Sequence, residues 1–180
     1  MNKRRIWLIL PMVLLPYLSL LALATIFFSS SNPFFASLMQ NVFADNGLYL
    51  LAALLGFALL AVVLSIICFV LSIKKEWDAL SLAKSAVAVK LAQIPAYIAI
   101  FVVGLLMLTT LWTIPFALVL YLLDGLVLIL SGLLTLSSVI NAVRRGQTTY
   151  QQSWWVIVLQ CIFCLDVVAA ILHFRKLRKK

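Results

Sequence analysis

Acidic residues are scarce in this chain. Five Asp and Glu stand against fourteen Lys and Arg, a net charge of +9, and charged residues of both signs make up only 11% of the sequence. A water-soluble domain of 180 residues has too much boundary to be that poor in charge and 66% hydrophobic. The one histidine, His173, argues against a metal centre. The three cysteines, Cys68, Cys161 and Cys164, lie inside apolar runs, so no extramembrane disulfide framework is available. No Walker loop, H-E-x-x-H or G-x-S-x-G occurs. Nothing here points to catalytic, cofactor-binding or metal-ligating residues.

What the chain has instead is long apolar runs. About 20 apolar residues cross a bilayer core, and runs at about 6–28, 47–73, 95–112, 115–143 and 154–174 qualify. The expected fold is a single all-α domain over 1–180, an integral membrane bundle of five transmembrane helices. Ala22-Leu23-Ala24 looks like a signal-peptidase site, but the run continues through Phe28, which favours a retained anchor. Pro11 and Pro16 bend this helix unless neighbours supply partners for the freed carbonyls. Asn32-Pro33 reads as a helix start, opening a short amphipathic helix with Phe34, Phe35, Met39 and Phe43 on its apolar side. Asp78 to Val89 reads as a second amphipathic helix, on the inner surface. Trp7, Trp77, Trp112, Trp154 and Trp155 all fall at ends of runs, where amphipathic rings prefer to sit.

The Lys and Arg residues cluster outside the apolar runs, which suits anionic lipid headgroups and argues against a nucleic-acid partner. With five spans and a cytoplasmic N-terminus, nine basic residues lie inside and the five from Arg175 to Lys180 lie outside. The reverse orientation is worse, so the expectation is N-in, C-out, with an unusually basic outer tail.

Asp124 and Asp166 are the acids within the runs, and an ionisable group there is costly enough to suggest function. On a helical wheel Asp124, Ser131, Thr135, Ser138 and Ala142 share a stripe, with Tyr121, Gly125 and Gly132 beside it. In the five-span arrangement Asp124 lies about 13 Å and Asp166 about 12 Å from the outer face. The expectation is an intramembrane polar site of Asp124, Asp166, Ser131, Thr135, Tyr121, Thr109 and Thr110, holding a proton or cation or fastening helices together. Paired acids on neighbouring spans also occur in intramembrane aspartyl proteases, but Leu123-Asp124 and Leu165-Asp166 match neither of their motifs. Cys161-x-x-Cys164 lacks the surface position and second pair of a membrane disulfide oxidoreductase and reads as packing.

The segments Lys90-Leu91-x-Gln93-Ile94-Pro95-Ala96-Tyr97-Ile98, Asp124 with Ser131-Gly132-Leu133, and Ile162-Phe163-Cys164-x-Asp166-Val167 carry a resemblance. From Lys90 onward the chain resembles an uncharacterised family of small multi-pass membrane proteins of low-GC Gram-positive bacteria. The resemblance implies the bacterial cytoplasmic membrane and no particular activity. Two functions fit the residues: a small transporter or transport-associated subunit, and a membrane interaction protein, an immunity or assembly factor, with structural acids. Either allows a membrane protein partner or a homo-oligomer.

Overall fold

The computed structural model describes residues 3–160, 162 and 165–179. Among them run seven helices: α1 (Lys3–Phe28), α2 (Pro33–Phe43), α3 (Gly47–Lys74), α4 (Ala79–Met107), α5 (Ile114–Arg144), α6 (Tyr150–Leu159) and α7 (Leu165–Arg178). Four of these, α1, α3, α4 and α5, are long and apolar enough to cross a membrane. Together they place the chain among multi-pass helical membrane proteins.

The helix starts follow from local chemistry. Asn32 Oδ1 accepts from the Phe34 amide at 2.9 Å, and Asn46 Oδ1 caps α3 through Leu48 in the same way. Asp78 opens α4 by accepting from the Ser81 amide. Between α2 and α3, Ala44 and Asp45 take left-handed backbone that turns the chain without glycine.

Pro16, inside α1, is compensated by a side chain from another helix. Pro16 has no N–H for the Met12 carbonyl four residues back, and Gln93 Nε2 on α4 donates to that carbonyl at 2.9 Å. The Tyr17 hydroxyl donates to the Ala92 carbonyl, within one turn of Pro95. The two bonds tie α1 to α4 at their contact.

Three expectations are corrected. First, 78–89 is not a separate surface helix. It is the first half of α4, which runs unbroken past Pro95 with Ala79, Ala83 and Ala86 buried. Small side chains there let neighbouring backbones approach closely. Second, the run 154–174 is not one helix. It is divided between α6 and α7, about 15 and 21 Å long and each short of a bilayer core. Cys161 and Cys164 lie outside the described residues.

Third, α7 returns alongside α6 instead of continuing away from it. Lys176 Nζ donates to the carbonyl and to Oε1 of Gln152 in the first turn of α6, both at 3.3 Å. Leu177 packs with Ala79 and Ala142, at the start of α4 and the end of α5. The end of α7 therefore lies at the same end of the bundle as Arg144 and Arg145, and the opposite-sided tail is overturned. The equal depth of Asp124 and Asp166, which assumed a spanning fifth helix, goes with it.

That end of the bundle is laced by α5. Asn141 Nδ2 donates to the carbonyls of Ser72 and Trp77, both at 3.0 Å, fastening the link from α3 to α4. Arg145 pairs with Asp78 at 3.1 Å and donates to the Glu76 carbonyl. The Arg5 guanidinium lies 4.0 Å over the Trp77 ring, which brings the start of α1 to the same end.

Candidate functional polar centre

The centre is built where α4, α5 and α7 meet. Lys90 stands eleven residues into α4, about 16 Å from its start, and Ser131 about 20 Å from the end of α5. Asp166 sits in the first turn of α7, about 18 Å from that helix's end. The three side chains therefore reach one level. Lys90 Nζ donates to Asp166 Oδ2 at 2.5 Å and to Ser131 Oγ at 3.2 Å. Lys90 and Asp166 are both 0% exposed.

Chemistry forces this pairing. A lone ammonium or carboxylate in an apolar interior is far costlier than a matched pair. Ala169 and Ala170 on α7 are buried and small, so the helix can approach closely enough for the pair to close. Gln93 and Tyr97 extend the polar region along α4: the Tyr97 hydroxyl donates to Gln93 Oε1 at 3.1 Å.

The α5 stripe is buried, with Asp124, Ser131, Thr135, Ser138 and Ala142 all shielded. Acceptors outnumber donors around it. Asp124 Oδ1, Asp166 Oδ1, Thr135 Oγ1 and Gln160 Oε1 are buried without a hydrogen-bond partner. Asp124 lies seven residues, about 10 Å, along α5 from Ser131. Asp166 takes Lys90 as its hydrogen-bonded partner.

Lower in the bundle, Ser138 Oγ donates to the Ala79 carbonyl at 2.8 Å and lies 3.2 Å from His173 Nε2. The one hydroxyl hydrogen is used on Ala79, so the imidazole donates from Nε2 to Ser138. His173 is outside the four spans; burial, and after it the Lys176 ammonium, push it down to about 4. At neutral pH the ring is uncharged and serves as a strut between α5 and α7.

The other expected residues lie elsewhere. Thr109 and Thr110 are exposed in the turn between α4 and α5, where they bond locally to the Leu106 carbonyl and the Thr113 hydroxyl. Tyr121 packs its ring over Gly104, where a Cβ would come within 2.6 Å of the phenol. It joins the hairpin of α4 and α5 rather than the polar centre.

Lys90, Gln93 and Gln160 are not among the residues that the sequence suggests for an intramembrane polar site. The positive-inside count places Lys90 with Lys74, Lys75 and Lys84 among the inner charges. What sets it apart is its place directly after Ala86-Val87-Ala88-Val89, five residues before Pro95. No family model, curated protein or solved structure matches this chain.

Proposed function

We propose that the protein is a small transporter, or a transport-associated subunit, of a bacterial cytoplasmic membrane, moving a proton or small cation through the Lys90–Asp166 centre. One observation carries the reading: an ion pair with both partners 0% exposed, joining a spanning helix to a helix that begins inside the bundle. Such a pair is a weak source of stability, since well-packed apolar residues of the same volume hold helices as well or better. Ionisable groups at this depth belong with proton and ion pathways. Interrupted helices that place a charged group near mid-membrane are the recurring architecture of transporter sites.

In this reading Asp166 alternates between Lys90 and the transported charge. Protonation of its carboxylate, or capture of a cation by it and Asp124, frees the ammonium and loosens α7 from α4. Ser131 keeps a hydrogen bond to the ammonium meanwhile, and Asp124, two turns farther along α5, is the next acceptor. The clusters at Lys74–Lys75, Arg144–Arg145 and Arg175–Lys179 gather at one end of the bundle. By the positive-inside rule that end is cytoplasmic, facing anionic headgroups, and it includes the N-terminus.

The test is flux in proteoliposomes under an imposed pH or cation gradient. Wild-type protein dissipates the gradient faster than empty liposomes, and Asp166→Asn abolishes the excess. Wild-type flux equal to that of empty liposomes, or unchanged flux in a variant carrying Asp124→Asn and Asp166→Asn, rules the reading out.

A second reading, a membrane interaction protein with structural acids, is favoured by α3. Only 22% of its most apolar window is buried, against 50% for α5. On this reading α3 meets a membrane partner or a second copy. Cysteine crosslinking along its exposed face at Leu55 and Leu59 captures that contact, and a chain that stays monomeric and uncaptured in native membranes counts against it.

A further inference from the structure

The geometry points to a binding site for a phenol-sized molecule carrying one hydroxyl, in the seam between α5 and α6. A cavity of about 150 Å³ lies there, walled by Leu128, Leu133, Leu136 and Ile157. Its polar features are Thr135 and Gln160, 1% and 6% exposed, whose Oγ1 and Oε1 have no hydrogen-bond partner. Buried polar atoms are nearly always satisfied, by protein, water or ligand. Gln160 already donates its amide, at a long 3.4 Å, to the Asp166 carbonyl, which leaves Oε1 as the acceptor on the cavity side.

The two orphan atoms are complementary. Gln160 Oε1 can only accept, while the Thr135 hydroxyl can donate or accept. A single ligand hydroxyl that donates to Gln160 and accepts from Thr135 satisfies both. The volume matches one aromatic ring, since an apolar cavity of this size admits benzene. Gly132 keeps the space open: a Cβ there would meet Gln160 at 3.7 Å, in ordinary contact, and take up cavity volume. Ile129, 61% exposed, is on the rim, so the cavity is entered from the lipid side and a tail on the ring projects into the bilayer. An amine is a poorer match, because the ammonium of Lys90 lies beyond Gln160, against Asp166.

The test uses full-length protein in nanodiscs and a diazirine-bearing alkylphenol, with crosslinks mapped by mass spectrometry. Labelling is expected at 128–136 and 157–160, and 4-propylphenol competes for it. 4-Propylanisole has nearly the same shape but no hydroxyl hydrogen, and it competes roughly fivefold to tenfold less well. Thr135→Val and Gln160→Leu each erase that difference, and Gly132→Ala lowers labelling in both cases. Equal competition by phenol and anisole, or no labelling in the seam, overturns the site, the second outcome leaving the cavity to lipid or water. The comparison of competitors needs no variant, so it stands even if a substitution unfolds the protein. It reads binding alone, so its outcome is independent of any flux result.

Discussion

Removing Lys90 or Asp166 singly should damage the fold far more than removing both. The pair has no exposed surface and a 2.5 Å contact, so Lys90→Met leaves an uncompensated carboxylate, and Asp166→Leu leaves an uncompensated ammonium beside Ser131. Breaking a buried pair on one side costs about 3–5 kcal/mol, whereas replacing both partners by apolar groups of similar volume is often neutral. Total stability of a domain is about 5–15 kcal/mol. Each single variant therefore forfeits about a fifth or more of it and should accumulate poorly in membranes, while Lys90→Met with Asp166→Leu returns to near wild-type stability. Unfolding in mixed micelles as the fraction of denaturing detergent rises measures all four proteins and yields a coupling energy. Small, additive effects of below about 1 kcal/mol for each single change would refute the buried pair itself. A stable double variant without flux separates the cost of the charges from their use.

Further outcomes follow from the same structure. Reporter fusions at the two chain ends should report one side of the membrane, because α7 returns to the end of the bundle that holds Arg5 and Arg145; opposite sides would contradict the folded-back run. Asn141→Leu removes the donor to two carbonyls and should lower stability by about 2 kcal/mol in the same unfolding assay, with proteolysis between Lys74 and Asp78 rising. Gly104→Val drives a side chain into the Tyr121 ring and should cost about 1–3 kcal/mol, most of it recovered by adding Tyr121→Ala.

Hydropathy made the long helices legible. The boundaries expected for the second and fourth runs fall within one residue of α3 and α5, because a span is defined by the length of chain needed to hide its backbone from lipid. The stripe from Asp124 to Ala142 was legible for the same reason: a helix apolar on its other faces has one place to put hydroxyls. Lys90 was not legible. A lysine near the start of an apolar run usually snorkels to the headgroups, and only a carboxylate from a distant segment can hold it inside. The division of 154–174 escaped for a related reason. Hydropathy averages over a window, and the run is apolar whether it continues or turns back.

The burial of Lys90 and the return of α7 are linked. A fifth helix that crossed would leave five basic residues on the far side. Folding α7 back removes that difficulty. It returns Arg175, Lys176 and Arg178 to the end that already holds Lys74, Lys75, Arg144 and Arg145. It also sets Asp166 against Lys90. The cost of the turn is borne by side chains: Gln160 reaches the Asp166 carbonyl, and His173 and Ser138 tie the returning helix to α5. The pair is therefore both the reason α7 can fold back and the part of the fold most exposed to a change in charge. A proton or cation that neutralises Asp166 acts on the buried ion pair between α7 and α4.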